Sequence, residues 1–322
     1  MERLAAIEGL ECLFSRSKRF ELTHVTVDGS RSAEFVRECF PNVQVKEVHT
    51  KPLFDFLTND DEAISHAPIA QAMVSCNAES LFLAEDSSPS IEQWGKKHHI
   101  NLLTTPWSMQ SKLENKLFFQ ELIERCGISS PKTWIIRGED DTANVDQFPV
   151  VLQHPAVHPP FKLIVVKDAE ELHRIVAERK EHLPFVCRVF ADGMPLGVSI
   201  IVGEHETIFS SVRLQCFWEG TANLQEFLGI QWLPTVELAA GFVHNLEEAL
   251  SILVKEMRSI GFRGIANIDL IAAGDTPLFL ECNPRMSAAT PCLPIEPSLL
   301  HGFDLCEEFL RAIDGENLSE NK

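Results

Sequence analysis

Between residues 20 and 105, short runs that alternate apolar and polar positions are separated by stretches whose apolar residues recur at helical spacing. ELTHVTV, VQVKEV, SLFLA and NLL read as strands. SAEFVRECF and the segments near 59–75 and 89–98 read as helices. Strands alternating with helices of this length predict a parallel sheet of βαβ units. No Gly-x-Gly-x-x-Gly follows the first of these strands, so the dinucleotide fingerprint is missing.

Further on, Leu113, Leu117, Phe118, Leu122 and Ile123 repeat near helical spacing before Gly127 and Pro131, predicting one linking helix with a clean stop. From 132 to 213 the pattern is mostly strands: TWII, FPVVLQH, KLIVV, FVCRVF, PLGVSIIVG and TIFSSVRL. One helix interrupts them, opened by Asp168 with Glu171 three residues on, a capping-box pattern. Residues 216–243 read as loop-like, 245–260 as a helix, 267–283 as two strands, 303–313 as a C-terminal helix, and GENLSENK as a frayed tail.

Composition narrows the function classes. With 322 residues, 45% hydrophobic and 23% charged, the chain suits a soluble globular protein of two or three domains. A net charge of -19 repels a phosphate backbone, so nucleic acid is excluded as a partner, although a few converging basic residues could still hold a small anion. The nine cysteines are scattered and never form Cys-x-x-Cys, which argues for reduced thiols rather than a disulfide framework or structural zinc. No run of 18 apolar residues occurs, so a membrane span is not expected and a cytoplasmic location is the simplest one.

Candidate chemistry concentrates in NIDLIAAGDTPLFLECNPR, residues 267–285. Period-two alternation puts Asn267 and Asp269 on one face of the first strand, and Phe279, Glu281 and Asn283 on one face of the second. AAGDTP is short enough to close a hairpin, laying Asp269, Glu281 and Asn283 on one surface. Oxygen-only donors of this kind suit Mg²⁺, and an arginine such as Arg285 beside them suits a phosphoryl group or carboxylate. A hairpin with a solvated polar face is the plainer alternative.

With these residues in view, the sequence resembles the ATP-grasp superfamily, and GFRGIANIDLI...LFLECNPRMS is most similar to the metal motif of carbamoyl phosphate synthetase and related carboxylate-amine ligases. The resemblance extends over most of the chain. It implies an α/β fold, with α+β character in the catalytic part: an N-terminal Rossmann-like pre-ATP-grasp domain over 1–105, a linker helix and small ATP-grasp subdomain over 106–200, and a C-terminal subdomain with the metal site over 201–322. It further implies that Asp269, Glu281 and Asn283 hold two Mg²⁺ ions on the ATP phosphates, that Lys116 contacts those phosphates, and that Arg188, Val189, Phe190 and Ala191 take the adenine through their backbone. Gln153 is a further nucleotide contact, and Arg285 and Asn267 are the candidate catalytic residues. The partners implied are a small carboxylate and an amine of amino-acid type, and homodimers are common among such relatives.

Three positions depart from the family pattern. Gln153 stands where many members have a second lysine. HPAVHPPFK replaces a glycine-rich phosphate loop, and its three prolines lack amide hydrogens. Arg188, or Cys187 if the alignment slips by one, stands where many have a ribose-binding glutamate. His154, His158 and Lys162 either replace some of the loop's charge or are ordinary loop residues. Arg213 is a candidate substrate contact, while Trp218, Phe227 and Trp232 line an acceptor pocket or belong to the core. The pair His98-His99 reads as a solvated helix end.

Two functions follow from different classes: an ATP-dependent ligase forming an amide through an acyl phosphate, or a catalytically impaired nucleotide-binding protein acting as a regulator or scaffold. A part of a carbamoyl phosphate synthetase or biotin carboxylase type enzyme is a third, which bicarbonate-stimulated ADP release would favour.

Overall fold

The structure, a computed structural model, describes residues 2–7, 20–27, 34, 36–38, 44–48, 75, 77, 79–82, 87–156, 163–219, 225–233, 237–287, 289–290 and 292–319. Its first sheet joins β1 (Glu2–Ile7), β2 (Phe20–Val27), β3 (Gln44–Val48), β4 (Ser80–Phe82) and β5 (Asn101–Leu103), all parallel, in the order β3-β2-β1-β4-β5. The central strand β1 was not anticipated, since ERLAAI carries a charged start and an Ala pair, residues depleted in strands. Helix α1 (Pro89–His98) appears as expected, with Ser88 Oγ accepting the Ile91 N–H at 3.2 Å and Pro89 in its first turn. The helix expected near 59–75 lies outside the described residues except at its last position.

The predicted linking helix is two helices, α2 (Trp107–Glu114) and α3 (Lys116–Arg125). Asn115 breaks them with extended backbone (φ -67°, ψ 114°), and its Oδ1 accepts the Leu117 and Phe118 N–H groups at 3.0 and 3.2 Å. A side chain that caps so well competes with helix continuation, which the apolar periodicity alone could not reveal.

The second sheet holds β6 (Thr133–Ile136), β7 (Val150–Gln153), β8 (Ile164–Val166) and β9 (Phe185–Val189), antiparallel in the order β6-β9-β7-β8, with α4 (Ala169–Glu178) on one face. Val150, Leu152, Val166, Phe185 and Cys187 pack there against Leu172, Ile175 and Val176. Period-two alternation then commits Val151, Gln153, Val165 and Arg188 to the opposite face, where they line a cavity. At the start of α4 Asp168 Oδ1 accepts the Glu171 N–H, while Glu171 reaches back to the Lys167 N–H rather than to Asp168.

In the third sheet, β10 (Met194–Val202), β11 (Thr207–Phe209), β12 (Arg213–Glu219), β13 (Gln225–Trp232), β14 (Gly264–Ala273) and β15 (Thr276–Asn283) are antiparallel, in the order β13-β12-β10-β14-β15 with β11 beside β10. Much of the stretch read as loop-like is the β12–β13 hairpin, and TIFSSVRL is two strands that both pair with β10. Helix α5 (Ala240–Ser259) packs Phe242, Leu246, Leu250, Leu253 and Met257 onto Val198, Ile200, Ile268, Leu270 and Phe279. Each large side chain fully buried in this layer contributes roughly 1.5–3 kcal/mol.

Helix α6 (Leu305–Asp314) ends at Gly315 (φ 72°). The tail beyond it, expected to fray, is tied down through Ser319. Glu206 accepts the Leu318 N–H, Glu308 accepts the Ser319 N–H, and Leu318 is buried against Gly203. No described helix is long and apolar enough to cross a membrane.

Candidate active site

A cavity of about 570 Å³ lies between the open face of the second sheet and the polar face of the third, lined by Gln153, Arg188, Ala191, Gln215, Asp269 and Glu281 among others. A smaller one of about 290 Å³ adjoins it, sharing Gln215, Asp269 and Glu281 and adding Arg213, Asn267 and Asn283. Residues from three predicted segments therefore converge on one space.

The hairpin β14–β15 carries the carboxylates. Gly274 (φ 60°) and Asp275 form its two-residue turn, and Asp269 pairs directly with Glu281 across the ladder. The next pair is Leu270 with Phe279, so Leu280 is an extra residue, a β-bulge. This corrects the expectation that Phe279, Glu281 and Asn283 share a face. The bulge turns Phe279 into the core, with Cys282, while Glu281 and Asn283 line the cavities.

Asp269 accepts from Gln215 Nε2 at 2.6 Å and from Asn283 Nδ2 at 3.2 Å. Burial and the neighbouring Glu281 carboxylate push its pKa up to about 7, against the opposing pull of Arg213 and Gln215. Burial would also raise Glu281, but Lys116, Arg188 and Asn283 outweigh it and hold Glu281 below its ordinary value. Two carboxylates beside a carboxamide form an oxygen-rich donor set. That fits a hard cation such as Mg²⁺, which keeps waters and takes only part of its shell from protein. Among the described residues no group of three His, Cys, Asp or Glu competes as a metal site.

Lys116, the first residue of α3, reaches Glu281 Oε2 at 3.1 Å, and its own N–H donates to Pro155 O at 3.1 Å. The base of the proline-bearing loop is thus tied to the residue whose side chain enters the site. His154 Nδ1 accepts the Ala156 N–H, whereas His158 and Lys162 lie outside the described residues.

At the end of β9 the Val189 N–H donates to Lys132 O and the Phe190 N–H to Pro149 O, both at 2.9 Å. The Ala191 N–H takes no partner among the described residues and lies at the cavity wall. Arg188 is buried beneath it, donating to Gln153 Oε1 and to Gln120 Oε1, each at 3.3 Å.

Asn267 is 1% exposed and spends its amide internally: Oδ1 accepts from Ser199 Oγ (2.7 Å) and Arg213 (3.2 Å), and Nδ2 donates to the Arg285 carbonyl (2.7 Å). Arg213, also buried, donates to Ser199 Oγ at 3.0 Å, lies 3.8 Å from Asp269, and stacks 5.9 Å from the Trp232 ring. Gly197 makes room for it, since a Cβ there would meet the guanidinium at 2.8 Å. The Arg285 side chain donates to buried Glu114 at 3.0 Å and still pulls down the Asp269 pKa.

The side chains of Trp218 and Phe227 fall outside what is described. His98 stacks on Trp94 and His99 ends α1, so that pair lies on neither cavity. Sequence reasoning missed Glu114, Gln120, Ser199 and Gln215. Two of these carried a usable signal: Gln215 is two residues from Arg213 on one strand face, and Gln120 is one helical turn from Lys116.

No protein-family model matches the chain. The arginine-specific carbamoyl phosphate synthase large chain of Bacillus subtilis is 22% identical over 224 residues, 65% of this chain and 21% of that relative. The biotin carboxylase domain of Hydrogenobacter thermophilus 2-oxoglutarate carboxylase, a dimer in complex with MgADP, ADP and bicarbonate, superposes with a TM-score of 0.71 at 15% identity, covering 99% of this chain and 71% of that one. In sequence and in fold the chain is similar to proteins of the ATP-grasp superfamily. A further likeness is to L-amino acid ligase from Bacillus licheniformis, with a TM-score of 0.63 at 15% identity over 97% of this chain and 74% of that one. The chain spans about a fifth of the length of the curated relatives it matches.

Proposed function

We propose that this protein is an ATP-dependent carboxylate-amine ligase that forms an amide bond through an acyl phosphate and releases ADP and phosphate. The observation that carries this reading is that Asp269 and Glu281 line both adjoining cavities, the larger with Ala191 and the smaller with Asn283, while Lys116 is ion-paired to Glu281.

In this reading the adenine lies along residues 188–191, where the Ala191 N–H donates to a ring nitrogen. Lys116 exchanges Glu281 for the phosphate chain, and Gln153 adds a neutral contact. Asp269, Glu281 and Asn283 would hold two Mg²⁺ ions, which neutralise the phosphate oxygens and so favour phosphoryl transfer. The substrate carboxylate oxygen attacks the γ-phosphorus as the bond to the bridging oxygen of ADP breaks. The amine nitrogen then attacks the acyl carbon, phosphate departs and the amine gives up a proton.

Arg285, bonded to Glu114 but acting on Asp269, stands ready to steady the transferring group. Asn267 is better read as a positioning residue, because its amide holds Arg213 and the Arg285 backbone. The adjoining cavity, with Arg213 behind it, is the place for the acid and the amine. The names of the relatives suggest two acid classes, bicarbonate and amino acids.

The test is ADP release from Mg-ATP by the purified chain, with and without pooled amino acids, small carboxylic acids and bicarbonate. Release that depends on the pool supports the ligase. ATP binding with no release under any pool favours a nucleotide-binding protein without turnover.

A further inference from the structure

Arg188 is an unusual buried cation. The residue is 3% exposed and its Nε has no hydrogen-bond partner. Its other bonds are to two neutral amides at 3.3 Å, long for a charged donor, where about 2.7–2.9 Å is usual. The orientation of one amide is fixed independently: Gln120 Nε2 donates to Glu124 Oε1 at 2.8 Å and to Ser130 Oγ at 3.0 Å, so its oxygen must face Arg188.

No carboxylate is bonded to this guanidinium among the described residues. Glu281 acts on it through space, but Glu281 Oε2 is held by Lys116. A cation with Glu281 bound would cancel even that field, leaving Arg188 with two amides only. A buried guanidinium in such surroundings is strongly unfavourable unless an anion joins it. The strand pattern aims it at the 570 Å³ cavity, whose wall it forms with Gln153.

We propose that Arg188 binds a phosphoryl oxygen of the nucleotide from the β9 side of the cavity, with Gln120 and Gln153 as positioning residues. This rests on the nucleotide reading of the cavity. It also accounts for the neutral side chain at 153, since a lysine there would bring a second positive charge against the guanidinium.

The experiment is calorimetric titration of the full chain with adenosine, AMP and ADP, each with Mg²⁺, for the native protein, Arg188→Gln and Gln153→Met. Loss of one charge-assisted hydrogen bond to phosphate should weaken ADP binding by Arg188→Gln about tenfold to a hundredfold. Adenosine affinity should stay within about twofold, because it has no phosphate to lose. AMP weakened alongside ADP assigns the contact to the first phosphate, and AMP unchanged assigns it to the second. Gln153→Met keeps the cation and loosens its aim, so a several-fold loss for ADP with none for adenosine is expected even if Arg188→Gln does not fold. Unchanged ADP affinity in both variants, or an equal loss for adenosine, overturns the proposal. A native protein that binds none of the three overturns the nucleotide reading, and the proposal with it.

Discussion

Lys116 Nζ lies 3.1 Å from Glu281 Oε2, so one cation and one anion of the site neutralise each other across the junction of α3 and β15. Any ligand that uses both must separate them. Glu281→Gln is therefore expected to abolish substrate-dependent ADP release while the circular dichroism spectrum stays native. Wild-type turnover in that variant would remove Glu281 from the chemistry.

Asp269 should make the protein less stable as pH rises. Its pKa in the fold is about 7 against an ordinary 3.8, so the folded state holds the proton more tightly than the unfolded one. The stabilising contribution is full at low pH and is lost as pH climbs through that window. Asp269→Asn should melt a few degrees above the native protein at pH 8 and similarly at pH 4, while Mg²⁺ should no longer raise its melting temperature. Parallel melting curves at all pH values would contradict this.

Gly197 has no side chain because the Arg213 guanidinium occupies that space, 2.8 Å from where a Cβ would sit. Gly197→Ala must displace a buried arginine bonded to Ser199 and Asn267, at about 1–3 kcal/mol. Urea unfolding should show the midpoint fall with the slope unchanged.

Asn115 both ends α2 and caps α3. Replacing it with Ala should destabilise the fold by about 1 kcal/mol. Because Lys116 is the next residue, nucleotide affinity should fall as well. Titration with ADP and a thermal melt on the same variant would test the two effects together.

Much of the candidate site's geometry was legible because its residues lie on a strongly patterned hairpin. Asp269, Glu281 and Asn283 stand out as polar groups among Ile268, Leu270, Phe279 and Cys282, which are core. What was illegible depended on partners far apart in sequence. Glu114 meets Arg285 across 171 positions and Ser199 meets Asn267 across 68, and no local period reports such pairs. The strand at 2–7 was missed because its residues are depleted in strands and sheet pairing overrode that preference, and the break at Asn115 because a single capping side chain sets it, which apolar periodicity does not report.

The bulge at Leu280 separates aim from pattern. If Leu280 were deleted, strict alternation would still leave Phe279 and Cys282 in the core and Glu281 and Asn283 on the open face, so the hairpin should still form. What would vanish is the local bend and extra twist that a bulge imparts. A chain lacking this single leucine should melt near the native temperature yet bind Mg²⁺ and nucleotide poorly, as a scaffold with every donor present and none correctly pointed.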